Sequence, residues 1–209
     1  MRSTVDPKTR KLAYGQDYAD TWVDRFGAWL SRRRLCNLLV SGPGGKRIGD
    51  FGCGFRAQQT RSWAGKCRSL VLVDVGLDPA LGNIPGVELL PGVMPGVLDR
   101  VSPGDFDLIV LNSVLEHLDD PGRVLQRCHA LLAEGGVLWV NVPNWRGKFF
   151  LELSAFRLGL SPKTEMDDHR NYYDPRDLWP MLVAAGFKPS RIRCRRHKFG
   201  LATFAAAIK

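Results

Sequence analysis

The chain has 209 residues, of which 44% are hydrophobic and 24% are charged. This balance is typical of a globular protein and excludes a disordered or collagen-like chain. Apolar runs such as Val137–Val140 are far shorter than the roughly 20 residues of a membrane-spanning helix, and the polar amino terminus lacks the apolar stretch of a signal peptide. We therefore expect a cytoplasmic protein without a transmembrane segment.

The formal net charge is +9, and much of the excess lies in Arg32–Arg34 and Arg191–Lys198. Such a surface favours anionic partners, whether nucleic acid, acidic lipid or an acidic small molecule. A solvated basic face would carry the same charge, so composition leaves both interpretations open. The five cysteines are odd in number and form no CxxC pair, which predicts reduced thiols rather than disulfides or a zinc site.

Strands alternate with helical patterns along the chain, which predicts an α/β fold with a largely parallel sheet. The chain opens with a predicted amphipathic helix over 17–40, where Tyr18, Trp22, Phe26 and Trp29 recur at helical spacing. Glycines and a proline in 41–45 end it. Five strands follow, at 46–51, 70–73, 87–90, 106–111 and 137–142, with helices over 57–64 and 121–132; Gly135 and Gly136 stop the second of these helices.

The pattern changes after Pro143. An aromatic-rich connection over 145–160 is longer than a sheet needs, and a helix over 177–185 follows it. Two final strands, 189–196 and 201–208, are too close in sequence to be parallel, so the sheet is predicted to be mixed. We divide the chain into an N-terminal helical segment or lid (1–45) and a main domain (46–209) that carries a substrate cap at 145–175.

A glycine turn connects the first strand to the helix predicted after it. Gly52 and Gly54 allow the backbone to approach a ligand closely, and a helix amino terminus there would offer free N–H donors. Asp74 follows Gly54 by 20 residues and ends the second strand, from where a carboxylate can bind both hydroxyls of a ribose. The pattern predicts a nucleoside-bearing cofactor, although a tight turn followed by a surface acid would look the same.

Two cofactor types compete for this turn. Gly52, Gly54 and Ala57 also satisfy the GxGxxA pattern of dinucleotide binders. However, Asp50 would repel a pyrophosphate and attract the ammonium and sulfonium groups of S-adenosylmethionine. The antiparallel hairpin at the end of the chain also differs from the parallel sheet of dinucleotide binders. These features favour S-adenosylmethionine.

Asp50–Gly54 and Asp74 are followed by Phe106–Pro121 with its Glu-His-Leu sequence, Leu131–Leu138 and His169–Leu178. This succession of motifs resembles class I S-adenosylmethionine-dependent methyltransferases of the small-molecule type. The resemblance implies a three-layer, Rossmann-like, seven-stranded sheet with an antiparallel last strand, S-adenosylmethionine as cofactor and methyl transfer as the reaction. Two positions depart from the family pattern: Arg56 replaces the third glycine, and no acid follows the third strand, so Met94 is expected to pack on the adenine.

These motifs also indicate the site residues. His117 is the first candidate for a catalytic base and His169 the second, but a base is needed only for a protonated acceptor, and structural roles for both histidines stay open. Glu116 with His117 would give only two adjacent metal ligands, so no metal site is predicted. The predicted cofactor-binding residues are Asp50, Gly52, Cys53, Gly54, Asp74, Val75, Met94, Asn112 and Ser113.

The aromatic segments at 17–40 and 145–160 suggest a lid over a small-molecule or lipid- or glycan-linked acceptor that is methylated at oxygen. The nearby arginines suggest that this acceptor carries an anionic group. Packing on the domain, a homodimer or a peripheral membrane contact would use the same residues. A nucleic-acid methyltransferase is less favoured, because Asn112-Ser-Val-Leu115 lacks the Asn/Asp-Pro-Pro-aromatic sequence that holds a flipped base. A non-catalytic cofactor-binding or scaffold protein, suggested by Arg56, is the third hypothesis.

Overall fold

The computed structural model of the chain describes residues 13–16, 21–39, 41–152 and 170–209. Its centre is one sheet with the strand order β3-β2-β1-β4-β5-β7-β6. Strands β1 to β5 are parallel, and β7 runs antiparallel to both β5 and β6. The predicted seven-stranded mixed sheet with a reversed last strand is therefore confirmed. The strands are β1 (Arg47–Phe51), β2 (Ser69–Asp74), β3 (Val87–Pro91), β4 (Phe106–Asn112), β5 (Leu132–Pro143), β6 (Ile192–His197) and β7 (Ala202–Ile208).

Successive side chains of the central strands enter two different apolar layers. Leu108 and Val110 of β4 pack in the layer that contains Leu35, whereas Ile109 and Leu111 pack in the layer on the opposite face. Parallel strands covered on both faces must be apolar at every position, since neighbouring side chains point to opposite sides. The three-layer α/β architecture predicted from the sequence is present.

Helix α1 (Trp22–Cys36) covers one face of the sheet. It begins at a capping box, in which the Thr21 hydroxyl accepts a hydrogen bond from the Asp24 N–H and the Asp24 carboxylate accepts one from the Thr21 N–H,. The predicted helix is confirmed over Trp22–Cys36 but ends before the predicted boundary at 40, and its aromatic residues do not enter the core. Trp22, Phe26 and Trp29 are exposed, and Tyr18 lies outside the described residues.

Helices α2 (Pro121–Leu131) and α4 (Pro175–Ala184) pack on the other face, and α3 (Trp145–Glu152) follows β5. Gly135 and Gly136 do not stop α2, because the helix already ends at Leu131 and the two glycines belong to β5. Residues 153–169 of the predicted cap lie outside the described residues. Within the described parts of the chain, no helix is long and apolar enough to cross a membrane. All five cysteines are free, and Cys128 is buried.

The helix predicted over 57–64 is wrong. The segment forms turns, with a single 3-10 turn at Arg61–Trp63. Ala57 has a φ of +46°, which an α-helix does not allow,. The fully buried Thr60 donates its hydroxyl hydrogen to Asp50 Oδ2 at 2.7 Å, so a tertiary contact fixes the turn. The glycine bend is therefore not followed by an α-helix amino terminus.

Candidate cofactor and acceptor site

Hydrogen bonds join the bend after β1 to the end of β2. The Gly52 N–H donates to the Val73 carbonyl at 2.7 Å, and the Gly54 N–H donates to Asp74 Oδ2 at 2.8 Å. Asp74 Oδ1 accepts a hydrogen bond from the Val75 N–H at 2.7 Å. These contacts fix the half-buried Asp74 carboxylate at the carboxyl edge of the sheet, beside the glycine bend. This is where a ribose-binding acid is needed.

Both positions of the bend require glycine, because a side chain there would have an unfavourable backbone conformation and too little space. Gly52 has a φ of +78°, and a Cβ on it would lie 2.5 Å from Val114 Cγ2. Gly54 has a φ of +72°, and its Cβ would lie 3.1 Å from the Tyr14 carbonyl oxygen. Any other residue would be strained at both positions. The glycine bend can therefore pack closely against Val114 and Tyr14.

Asp50 is fully buried beneath the bend. Its Oδ2 accepts the Thr60 hydroxyl, whereas its Oδ1 has no hydrogen-bond partner among the described residues. Burial raises the pKa of Asp50 from 3.8 to about 7; the Thr60 hydrogen bond acts in the opposite direction, and the charge of Asp74 raises the pKa further. A buried carboxylate oxygen without a partner fits a cationic group brought by a ligand.

Cys53 and Met94 are half-buried apolar elements of the same edge. Burial raises the pKa of the Cys53 thiol well above its usual range, and the charges of Asp50 and Asp74 raise it further, so this side chain stays protonated. Met94 packs against the apolar core beyond β3. The Gly92 N–H donates to the Asp74 carbonyl at 2.9 Å, which ties the end of β3 to the end of β2.

The ends of β4 and β5 meet α1. Asn112 Oδ1 accepts a hydrogen bond from Asn141 Nδ2 at 3.2 Å, and the Ser113 N–H donates to the Asn141 carbonyl at 2.7 Å. Ser113 is exposed and has a φ of +55°. Asn141 Nδ2 also lies 3.5 Å from Ser31 Oγ of α1. Neither Asn141 nor Ser31 was predicted as a site residue.

The turn after β4 carries the acidic and histidine residues of the fourth-strand motif. Glu116 is fully buried, and the neighbouring His117 is half-buried. The Glu116 carbonyl accepts a 2.8 Å hydrogen bond from the Arg170 N–H, and Tyr173 donates its hydroxyl hydrogen to the Leu115 carbonyl at 3.3 Å. The chain from 170 onwards therefore packs on the tip of β4. His169, the second predicted base, lies outside the described residues.

Lys198 is a candidate site residue that the sequence analysis missed. It lies in the turn between β6 and β7 with a φ of +50°, and its Nζ lies 3.9 Å from where a Cβ on Gly27 of α1 would be. Burial lowers its pKa to about 8, although the negative charge of Glu116 acts in the opposite direction. This electrostatic interaction links the ammonium group to the tip of β4. The sequence signal that could have located Lys198 is the short connection between the last two strands, because this hairpin turn must lie at the carboxyl edge of the sheet.

Residues 13–16 lie against the glycine bend and the segment after β2, a placement that the sequence analysis also missed. The Phe55 N–H donates to the Tyr14 carbonyl at 2.9 Å. Gln16 Oε1 accepts from the Ala13 N–H at 3.1 Å and lies 2.6 Å from where a Cβ on Gly76 would be. The segment is therefore seated on the residues that follow β1 and β2.

The donor set fits S-adenosylmethionine. Asp74 can offer a carboxylate to a ribose, and Asp50 can offer a buried oxygen to an ammonium group. The bend can lie this close to Val114 and Tyr14 only because it is built from glycines.

Comparisons with known proteins agree with this geometry. Residues 13–191 match the family model described as a methyltransferase domain. The ubiquinone biosynthesis O-methyltransferase of Aeromonas salmonicida is 28% identical over 207 residues, covering 89% of this chain and 84% of the relative. The corresponding enzyme of Neisseria meningitidis serogroup C is 24% identical over 185 residues, covering 80% and 77%.

Solved structures share the fold. The magnesium protoporphyrin IX methyltransferase of Synechocystis PCC 6803, solved with bound S-adenosylhomocysteine, superposes with a TM-score of 0.64 at 17% identity, covering 94% of this chain and 90% of that one. A methyltransferase from Archaeoglobus fulgidus gives a TM-score of 0.61 at 15% identity, covering 87% and 94%. The family match spans most of the chain, and the chain therefore belongs to the methyltransferase domain family as a class I S-adenosylmethionine-dependent methyltransferase.

Proposed function

We propose that this enzyme methylates a hydroxyl oxygen of a small-molecule or lipid- or glycan-linked acceptor that has an apolar part. The observation that carries the proposal is the Asp74 carboxylate, held 2.8 Å from the Gly54 N–H at the edge where β4 also ends. A cofactor bound there would lie beside Glu116 and His117. The choice of oxygen is supported by the O-methyltransferase activity for which the relatives are named.

The cofactor supplies an electrophilic methyl group on a sulfonium, and the chain's residues hold it and align the acceptor. Asp74 would accept the ribose hydroxyls and Asp50 the ammonium, while Met94 would pack on the adenine. Holding both reactants in line supplies much of the rate enhancement in such a displacement. The residues that we propose to contact the cofactor are Asp50, Gly52, Cys53, Gly54, Asp74, Val75, Met94, Asn112 and Ser113.

A hydroxyl acceptor must lose its proton as the new bond forms. We assign the role of base to His117, which is half-buried at the tip of β4, and retain His169 as the second candidate. Lys198, in the turn between β6 and β7, interacts electrostatically with Glu116, which is next to His117. Its ammonium group would stabilise the negative charge that develops on the acceptor oxygen, or an anionic group elsewhere on the acceptor.

We assign the lid to 1–45 and the acceptor cap to 145–175. The lid assignment is supported by the hydrogen bond from Phe55 to Tyr14 and by the close approach of Gln16 to Gly76. The cap assignment is supported by the contact of Arg170 with the tip of β4. Such a lid would exclude water from the reaction. The free thiols are compatible with a cytoplasmic location, which is part of the proposal,.

Transfer of a ¹³C-labelled methyl group from S-adenosylmethionine tests the proposal. Phenolic, amine and thiol acceptors, each with and without an alkyl tail, would be compared, and the chemical shift of the product methyl group identifies the methylated atom. We expect a methoxy product and faster transfer to tailed phenols. Transfer to nitrogen, or to RNA and DNA with every small molecule unchanged, would contradict it. So would cofactor binding with no transfer to any acceptor class, as the scaffold hypothesis predicts.

A further inference from the structure

We propose that Asn141 holds the Asn112 side chain with its amide N–H donors facing the acceptor, and that these donors select an oxygen over an amine nitrogen. The inference rests on the proposed O-methyl transfer and names the group that would recognise the attacking atom. Asn112 is the last residue of β4, and Asn141 is its register partner on β5. The two side chains therefore lie side by side on the face of the sheet that α1 covers,.

The hydrogen bonds around Asn141 run in one direction. The Ser31 hydroxyl donates its only hydrogen to the Gly27 carbonyl at 3.2 Å, which leaves the hydroxyl oxygen as an acceptor,. Asn141 Nδ2 lies 3.5 Å from that oxygen and donates to Asn112 Oδ1 at 3.2 Å. Both hydrogens of the Asn141 amide therefore have acceptors, and the bond from Ser31 to Gly27 sets the direction of the chain.

This direction determines which end of the Asn112 amide is free. Its Oδ1 accepts from Asn141, whereas its Nδ2 has no hydrogen-bond partner among the described residues. The side chain is half-buried, and Nδ2 is not among the enclosed polar atoms, so a ligand can reach it. Asn112 therefore offers N–H donors, and no free acceptor oxygen, at the tip of β4.

The other end of the Asn141 amide is unpaired. The residue is only 1% exposed, and its Oδ1 has no hydrogen-bond partner within the described parts of the chain. Buried polar atoms in native structures are nearly always paired. An apolar side chain of similar shape would fill this position without an unpaired oxygen. The unpaired Oδ1 therefore points to a role beyond packing, which is the orientation of Asn112.

A hydroxyl oxygen is complementary to the Asn112 donors. One of its lone pairs attacks the methyl carbon, and the other can accept an N–H hydrogen bond. As the O–C bond forms, the C–S bond of the cofactor breaks, its electron pair stays on sulfur, and the hydroxyl hydrogen passes to the base. A neutral amine has a single lone pair, which the attack consumes, so its nitrogen would leave the Asn112 donors unpaired. Polar sites reject an analogue through such unpaired groups.

The same row of contacts leads from Asn112 towards the proposed acceptor side. Gly27, which accepts the Ser31 hydroxyl, is also the point of α1 that Lys198 approaches: Nζ lies 3.9 Å from where a Cβ on Gly27 would be. The amide at the tip of β4 and the ammonium group of the β6–β7 turn are thus joined through one stretch of α1. Both are donors, as an acceptor oxygen that gains negative charge requires.

Two substitutions change the group that faces the acceptor. Asn112→Asp keeps an oxygen for Asn141 Nδ2 and replaces the free N–H donors with a second carboxylate oxygen. Asn141→Asp has no hydrogen to give, so Asn112 should turn its Nδ2 towards the new carboxylate and its Oδ1 towards the acceptor. The matched control is Gln59→Glu, because Gln59 is a buried amide that contacts Ala28 of α1 and not Asn112. Each protein would be assayed at saturating cofactor with para-hexylphenol and para-hexylaniline in competition.

We expect the wild type and Gln59→Glu to prefer the phenol. Both aspartate variants should shift the ratio of the two kcat/KM values towards the aniline by at least about tenfold, because one hydrogen bond is lost and another gained. A loss of stability alone would lower both values and leave their ratio unchanged. An unchanged ratio in a folded Asn112→Asp protein that still forms the methoxy product would overturn this inference alone, whereas wild-type transfer to the aniline would also contradict the proposed function.

Exchange of the side-chain amide hydrogens, followed by NMR, tests the same geometry without turnover. In the wild type the Asn141 amide hydrogens should exchange slowly and those of Asn112 rapidly. In Asn141→Asp the exchange at Asn112 should become slower, since one hydrogen is now bonded to the carboxylate. Slow exchange at Asn112 in the wild type, or unchanged exchange there in Asn141→Asp, would overturn the proposal whatever the acceptor is.

Discussion

The Asp74 carboxylate and the Gly54 N–H are joined by a 2.8 Å hydrogen bond that spans two neighbouring parallel strands. The bond fixes the acid that would bind the ribose relative to the glycine bend that would border the rest of the cofactor. Neither residue can shift alone, because Gly54 also faces the Tyr14 carbonyl and Asp74 also accepts the Val75 N–H. Under our proposal, cofactor recognition depends on the junction between β1 and β2.

Replacing Gly52 with Ala should destabilise the fold and abolish cofactor binding. The new Cβ would combine a φ of +78° with a contact of 2.5 Å to Val114 Cγ2. We expect a loss of about 2–5 kcal/mol in the free energy of unfolding, the sum of the left-handed conformation and of overpacking. Chemical denaturation provides the measurement.

Gly104→Ala is the matched control, because Gly104 has a φ of +77° but nothing within 4 Å of the new Cβ. This variant should lose only about 1–2 kcal/mol, the cost of the conformation alone. Adding Val114→Ala to Gly52→Ala should remove part of the difference in stability between Gly52→Ala and Gly104→Ala. Equal losses in the free energy of unfolding for Gly52→Ala and Gly104→Ala would show that the close approach of the bend to Val114 does not require glycine at position 52.

Cofactor affinity should increase with pH between about 6 and 8. The pKa of Asp50 is about 7 in the folded protein because the carboxyl is buried, and under our proposal it must ionise to bind the cofactor ammonium. Below that pH a proton competes for the same group, so affinity should fall by up to about tenfold per pH unit. Titration calorimetry across this range measures the effect. The Asp50→Asn variant should bind weakly and lose this dependence; a flat wild-type profile would remove Asp50 from the cofactor site.

The same residue should affect stability without cofactor. A raised carboxyl pKa means that the folded chain holds the proton more tightly than the unfolded chain. The stability contributed by Asp50 is therefore fully present below pH 3.8 and lost as the pH rises through about 7,. Asn at this position can still accept the Thr60 hydroxyl and carries no charge. Asp50→Asn should thus raise the free energy of unfolding at pH 8 by about 4 kcal/mol and have little effect near pH 4; a loss at pH 8 would contradict this.

The sheet was predictable because its signals are local. The buried strands are short apolar runs, and the closeness of the last two strands forces their hairpin. The turn at 57–64 was not predictable, because its conformation depends on Thr60 reaching Asp50 and on Phe55 reaching Tyr14. These contacts join residues that are 10 and 41 positions apart, respectively, and no local pattern records them.

Lys198 should control the pH dependence of acceptor binding. Its pKa of about 8 places the loss of its charge within the usual assay range, with Glu116 as its acidic neighbour and the nearby His197 as its basic one. We expect the acceptor KM to be constant below pH 8 and to rise above it as the ammonium deprotonates. In Lys198→Arg the KM should stay flat to higher pH.

Lys198→Met should raise the acceptor KM by about tenfold below pH 8, the value of one modest charge interaction, and leave the cofactor Kd unchanged. An identical pH profile in wild type and Lys198→Met would exclude this lysine from the acceptor site. A changed cofactor Kd would instead indicate a structural role for the pair formed by Lys198 and Glu116.

Helical periodicity predicted α1 but not the environment of its aromatic side chains. Spacing alone does not distinguish a stripe that enters the core from one that faces outwards. In the structure the small polar Ser31, together with Leu35, forms the buried face, while Trp22, Phe26 and Trp29 are exposed. The sequence likewise did not reveal that residues 13–16 lie on the cofactor crevice, since they have neither a motif nor a periodic pattern.

Calorimetric titration of S-adenosylmethionine into the wild type, Asp74→Asn and the matched charge control Glu88→Gln tests the account most directly. Glu88 is exposed on the neighbouring strand β3. The wild type and Glu88→Gln should bind alike, and Asp74→Asn should bind at least about tenfold more weakly, because charged hydrogen bonds to the ribose contribute about 1.5–3 kcal/mol each. Undiminished binding by a folded Asp74→Asn protein, or no binding by the wild type, would contradict the site described above.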